Sequence, residues 1–313
     1  MTIAVIIPAY NEGQTIAVVL EQLHRSVPDA QLWVVDNNSA DHTQALARDT
    51  IARLGCQGGV LSERRQGKSF ALRKGFNEVN ADVYVMVDAD LTYPADALPK
   101  LLAPVLGGEA DMVVGDRLSG GRYARENARR FHDFGNRLVR KKINVLFGSG
   151  LRDIMSGYRV LSRDFVKLCP ILSNGFEVET EMTIHALDKR FRILEIPIDY
   201  RDRPEGSASK LNTFRDGLKV LKTVFFLFKN YRPMPFFLSF AALFLASGLL
   251  VGAPVLYEFA TTGLILRIPS AILATGLTIF AVIFFSLALI MDTIVNFHRF
   301  DYELKRMQRG ADD

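Results

Sequence analysis

Through Val114 the chain alternates between two hydrophobic rhythms. Short apolar runs, many of them β-branched, occupy residues 3–7, 32–35, 59–61, 83–87 and 112–114, and predict strands. Between them, apolar positions recur at helical spacing, as at Ile16, Val19, Leu20 and Leu23. That spacing predicts helices over 15–24, 41–54, 69–79 and 95–106. Strand and helix taken in turn argue for an α/β domain with a mostly parallel, Rossmann-like sheet covered on both faces.

The pattern changes near the C-terminus. No charged residue occurs over 233–257 or over 268–291. Each run is about 25 residues, long enough to cross a bilayer core of ~30 Å as a helix. Neither run carries a polar stripe, as a soluble core helix would. Lys222, Lys229 and Arg232 precede the first run, and His298, Arg299, Lys305, Arg306 and Arg309 follow the second. By the positive-inside rule both flanks are expected in the cytoplasm, joined by a two-helix transmembrane hairpin. Residues 211–228 place Phe214, Leu218, Leu221, Val224, Phe225 and Phe228 on one face with lysines between, predicting an interfacial helix; residues 131–147 are a second candidate. The expected organisation is a catalytic domain over 1–210, an interfacial amphipathic helix over 211–232, two transmembrane helices within 233–292 and a cytoplasmic tail over 293–313. Met1 leads straight into a strand, so no signal peptide is expected.

Composition adds little to this picture. A net charge of +4 is modest, but Arg129, Arg130, Arg137, Arg140, Lys141 and Lys142 crowd one segment. Such a cluster suits anionic headgroups or phosphates; no nucleic-acid motif accompanies it. Cys56 and Cys169 are the only cysteines, which implies neither a disulfide framework nor a zinc site.

The candidate chemistry sits where the apolar run 83–87 ends in Asp88-Ala89-Asp90. Two acids at i and i+2 on extended chain project to one side, beyond the carboxyl end of a buried strand, and can share one hard cation. That cation can hold a diphosphate. No Gly-x-Gly-x-x-Gly follows the first strand, where the turn is Pro8-Ala-Tyr-Asn-Glu12, so a nicotinamide-type site is not expected.

Further motifs stand in order with these: Val35-Asp-Asn-Asn-Ser-Ala-Asp41-His-Thr43, Gly67-Lys68, Asp153-Ile-Met-Ser-Gly157-Tyr-Arg159, Glu177-Val-Glu179-Thr-Glu181, and Tyr200-Arg-Asp-Arg203-Pro-Glu-Gly206-Ser-Ala-Ser209-Lys210. Together they resemble inverting glycosyltransferases of family 2, with the GT-A fold, and within it the dolichyl- and polyprenyl-phosphate sugar synthases. The resemblance spans residues 3–230, and the hairpin is similar to that of the bacterial branch. It implies that Pro8, Tyr10 and Glu12 grip base and ribose, with Asp36 and Asn37 on the second nucleotide turn. Asn37 stands where the family more often has aspartate; an amide can donate and accept, which leaves uridine and guanosine both open. Lys68 is implied beside the nucleotide, though a solvated lysine is the competing reading.

Asp90 is the expected metal ligand, with Asp88 as second contact and Mg2+ or Mn2+ as the ion. Thr92, where relatives often carry glutamine, is a poor ligand. Arg117 is expected at the diphosphate. Asp153 is implied on the acceptor side, as a base or as an orienting group. Arg203 and Lys210 are placed over the diphosphate as catalytic cations. Arg129, Arg130 and Arg159 are candidates for the acceptor phosphate, Arg159 also for a structural bridge to Glu179 or Asp153. The reading is inverting transfer of one sugar from a nucleotide-diphosphate sugar, preferably UDP-glucose or UDP-N-acetylglucosamine, to a polyprenyl phosphate. Rival readings are a processive polysaccharide synthase, whose Gln-x-x-Arg-Trp motif is missing, and a catalytically silent membrane adaptor. A homo-oligomer is compatible with all three.

Overall fold

The computed structural model describes residues 1–119, 130–172, 178–200, 225–226 and 228–312. The strands are β1 Ile3–Ala9, β2 Gln31–Asp36, β3 Gly58–Ser62, β4 Val83–Met86, β5 Met112–Asp116, β6 Arg159–Ser162 and β7 Ile193–Pro197. They form one sheet in the order β3-β2-β1-β4-β6-β5-β7. The β-branched run of β1 is paired on both sides, parallel to β2 and to β4, and is almost wholly buried. The departure from a parallel sheet is β6, which runs antiparallel to both β4 and β5. Strands β6 and β7 lie beyond the last one expected from the hydrophobic pattern.

Helices α1 (Ile16–Ser26), α2 (Thr43–Leu54), α3 (Lys68–Glu78), α4 (Leu98–Leu106), α5 (Arg130–Phe147), α6 (Arg163–Leu168) and α7 (Val178–Asp188) complete this unit. Strand periodicity divides β1 between two layers. Val5 and Ile7 pack with Ile16, Leu20 and Leu23 of α1 and with Leu98, Leu101 and Val105 of α4. Ile6 meets α3 instead, so closely that a Cβ on Gly75 would lie 2.6 Å from its Cγ2. Each fully buried aliphatic side chain of this kind stabilises the fold by roughly 1.5–3 kcal/mol.

The chain steps outward from β1 through β2 to β3, then returns to place β4 on the other side of β1. A reversal of that kind opens a crevice at the carboxyl ends of the two central strands, where open α/β sheets bind ligands.

Residues 214–313 form a second unit. Helix α8 (Pro233–Thr262) and helix α9 (Ile268–Asp312) are long and apolar enough to cross a membrane. They pack through Phe240, Phe244, Phe280 and Phe284, with ring centroids 5.4–5.6 Å apart, and through Gly248 and Gly252 against Ala274. Large apolar side chains face outward, Leu250 at 78% and Val282 at 60% exposed, which a soluble core helix would hide. The pair fits a transmembrane hairpin, with Glu258 and Arg267 joined at 3.7 Å by its turn. Helix α9 does not stop at the end of the apolar run but continues through the basic segment to Asp312.

Candidate active site

Three loops converge on the crevice. The first two, after β1 and β2, are laced together. Asn11, at a φ of 55°, accepts from the Ala40 amide at 2.8 Å, and its own amide donates to Ser39 Oγ at 3.0 Å. The Gly13 amide donates to Asp41 Oδ2 and the Glu12 amide to Thr43 Oγ1. Asp41 in turn accepts from the Thr43 amide and hydroxyl. Burial pushes its carboxyl up, but these bonds more than reverse that and hold it below the ordinary value. The result is a fixed rim carrying Pro8, an exposed Tyr10, and Glu12, whose carboxylate accepts from the Thr15 hydroxyl at 3.1 Å.

On the same rim Asp36 is 6% exposed, and its Oδ1 has no hydrogen-bond partner among the described residues. An orphaned buried carboxylate oxygen is costly unless a ligand donates to it. Asn37 behaves differently from the expectation placed on it. Its Nδ2 donates to the Arg65 carbonyl at 2.7 Å and its Oδ1 accepts from the Gly67 amide at 2.7 Å. The amide therefore shapes the 63–67 loop rather than reading a base edge. Gly67 then enters α3 at a φ of 139°, a conformation that only glycine adopts without strain.

The third loop follows β4. Asp90 is 5% exposed and accepts at Oδ1 from the Thr92 hydroxyl at 2.6 Å. Leu91 holds a φ of 62°, a strained turn between the two acids and Thr92. Asp88 is the more open of the two acids, with 26% of its side chain exposed. The described residues contain no cluster of three or more metal-ligating side chains. Two carboxylates still fit a divalent ion, because Mg2+ is commonly held by one or two acids with substrate phosphates completing the shell. Thr92, hydrogen-bonded to Asp90 and 1% exposed, supplies no third ligand.

Lys68 is not the solvated lysine of the competing sequence reading; it lies beside Asp88. Only 10% of its side chain is exposed, and its ammonium lies between Asp88 Oδ1 and Glu179 Oε1, 2.6 Å from the latter. Burial opposes the charge, but the two carboxylates more than offset it and raise the pKa.

Across the crevice, Arg117 grips Asp153 with a two-pronged fork, Nε to Oδ2 at 2.8 Å and Nη2 to Oδ1 at 2.9 Å. Its guanidinium also lies 5.5 Å from the centre of the Tyr200 ring. Burial alone would push the Asp153 carboxyl up; the Arg117 fork and backbone amides bring it below the ordinary value. Glu195 accepts from the Arg152 and Asp153 amides and so anchors the start of this loop.

Arg159 requires a correction. It is fully buried, donating to the carbonyls of Ser156 and Ile154 and to Thr183 Oγ1 at 2.8–2.9 Å. It cannot reach an acceptor phosphate; nor does it bridge directly to a carboxylate as the sequence reading allowed. Instead it bolts the 153–157 loop to α7, while burial lowers its pKa. Arg203, Lys210, Glu177 and Arg129 lie outside the described residues, as does the side chain of Arg130.

Sequence reasoning missed Tyr93. Its ring packs on Tyr158 and Tyr200, and its hydroxyl accepts from the Gly157 amide at 2.7 Å. Its place three residues after Asp90 was the available signal. Away from the crevice, α5 presents Arg137, Arg140, Lys141, Asn144 and Val145 around a groove of about 500 Å3. Its opposite side is anchored by the buried Val139 and Ile143.

A crevice at the carboxyl ends of β1 and β4, with carboxylates just beyond β4, is the arrangement of a GT-A glycosyltransferase. The chain belongs to glycosyl transferase family 2, whose model matches residues 4–168. Glycosyltransferase AglJ of Haloferax volcanii is 30% identical over 307 residues, covering 98% of this chain and 97% of the relative. Polyprenol monophosphomannose synthase of Mycolicibacterium smegmatis is 30% identical, covering 66% of this chain and 80% of that one. Among solved structures, glucosyl-3-phosphoglycerate synthase of Mycobacterium tuberculosis, in complex with Mn2+, UDP-glucose and phosphoglyceric acid, aligns with a TM-score of 0.54. That match has 25% identity and covers 71% of this chain and 79% of that one.

Proposed function

We propose that this glycosyltransferase moves one sugar, with inversion, from a nucleotide-diphosphate sugar to a polyprenyl phosphate at a membrane surface. The rim formed by Tyr10, Glu12 and Asp36 holds the nucleoside, with the orphaned Asp36 oxygen accepting from it. Asp88 and Asp90 would hold a divalent cation, Mg2+ or Mn2+, which neutralises the departing diphosphate. A relative named for polyprenol phosphate and a structural neighbour carrying Mn2+ and UDP-glucose support this pairing of acceptor and donor. The preferred donor remains a UDP-sugar, glucose or N-acetylglucosamine.

The observation that carries the acceptor assignment is the state of Asp153. Both of its oxygens are held by Arg117, and its carboxyl is depressed, so it is a poor base for a sugar hydroxyl. A phosphate monoester, with a second pKa of about 6, arrives already ionised and needs no such base. Arg117 faces the acceptor phosphate and the diphosphate from this side, and Asp153 keeps its fork in place. Arg203 and Lys210 supply further positive charge, and the basic surface of α5 rests against anionic headgroups.

Full-length protein given a radiolabelled nucleotide sugar and polyprenyl phosphate should form an organic-extractable, phosphate-linked product. The corresponding polyprenol should give none. Efficient labelling of the free alcohol or of a soluble sugar would overturn the lipid-phosphate acceptor and leave the glycosyltransferase standing.

The hairpin is placed with both flanks in the cytoplasm, on the strength of its basic ends. Single cysteines near Met1 and Gly310 should resist an impermeant thiol reagent in intact cells, whereas one at Thr261 should react. Labelling at Gly310 would rule the orientation out.

A further inference from the structure

We propose that Glu179 is a positioning residue that acts through Lys68 on Asp88, so that helix α7 governs the metal dependence of nucleotide binding. The proposal rests on the reading of Asp88 and Asp90 as the metal-holding pair.

Three elements far apart in sequence bring these charges together. Lys68 opens α3, Glu179 sits in the first turn of α7, and Asp88 follows β4. The ammonium contacts both carboxylates, and the side chains of Lys68 and Glu179 are 10% and 8% exposed. Asp88 is also fixed from its other side. A Cβ on Gly157 would stand 2.6 Å from Asp88 Oδ2 and 3.0 Å from Lys68 Nζ, so the backbone there closes directly on the pair.

Charge counting gives Glu179 its role. One ammonium between two carboxylates leaves the trio with a net charge of about −1, and Asp88 shares its partner. With Glu179 neutral, Lys68 would have Asp88 as its sole anionic contact in this trio. The pair would then be neutral, and Asp88 would be a weaker partner for an entering cation. Groups that hold metal-binding side chains in place typically alter metal affinity by about 10- to 100-fold when removed.

Helix α7 reaches the opposite side of the crevice as well. Thr183, one turn after Glu179, accepts from Arg159, which fixes the loop bearing Asp153. One short helix thus braces both the strand-end acid and the acceptor-side acid.

The test uses full-length protein in detergent, titrated with UDP and in parallel GDP at increasing Mn2+, with binding read by calorimetry. Glu179→Gln, which keeps the side-chain shape, should raise the half-saturating Mn2+ concentration about tenfold or more. The thermal midpoint without metal should stay near that of the wild type, because a hydrogen bond to Lys68 remains. Glu179→Asp, which keeps the charge but draws it back, should fall between the two and decides the matter if the glutamine variant does not fold. Wild-type metal dependence in both variants would overturn the role of Glu179 alone. If the wild type binds neither nucleotide in a metal-dependent manner, the reading of Asp88 and Asp90 fails first and takes this inference with it.

Discussion

Asp90→Ala should reduce turnover by about two to three orders of magnitude or more, a barrier increase of roughly 3–4 kcal/mol. Metal-dependent nucleotide binding should disappear with it. The expectation comes from position: Asp90 stands just beyond the buried end of β4, beside the switch between β1 and β4, and its hydrogen bond from Thr92 fixes its direction. The fold should survive, because the residue lies past the last paired position of the strand and contributes little apolar contact. Initial rates with a radiolabelled donor, nucleotide titration with and without Mn2+, and a thermal melt measure the three parts separately. Activity above about a tenth of wild type, a change under ~1.4 kcal/mol, would exclude a central metal role for this carboxylate.

Arg159→Ala should be the most damaging change to stability in the catalytic unit. The guanidinium satisfies two buried carbonyls and a buried hydroxyl while filling the space between the 153–157 loop and α7. Its removal leaves those acceptors unpaired beside a cavity, a loss of about 3–5 kcal/mol. A thermal or denaturant melt without ligand should show it directly. An acceptor-phosphate role predicts the opposite pattern, an unchanged melt with weakened acceptor binding. Unchanged stability would therefore return Arg159 to the candidates for phosphate binding.

That reassignment shows where the sequence is informative. β1, β2 and β4 announce themselves because their apolar runs reflect a local demand, burial on both faces of a parallel sheet. The hairpin is legible for the same reason, since an uncharged run of about 25 residues has few other uses. Asp88 and Asp90 are visible because they follow directly on the apolar run that becomes β4. The cations are another matter. Lys68 and Arg117 each look like a phosphate ligand in a motif, yet their side chains also meet acids from distant elements, Asp88 and Glu179 for one and Asp153 for the other, while Arg159 divides its bonds between its own loop and the α7 hydroxyl. Which carboxylate meets which ammonium depends on how helices stack on the sheet, and no local pattern encodes that. β6 escaped for a related reason. It has four residues, starts with an arginine, and exists because β4 and β5 leave a slot between them.

The unbroken course of α9 has a consequence of scale. Its 45 residues extend over about 68 Å, more than twice a hydrocarbon core of ~30 Å. Charged positions begin at Asp292, so about 30 Å of the same rod, carrying His298, Arg299 and Lys305, stands beyond the apolar stretch. No break in the helix separates the apolar stretch from the charged one. Were the apolar stretch to tilt by about 5° in a thinner or thicker bilayer, the far end of that rigid ~30 Å segment would swing by about 3 Å.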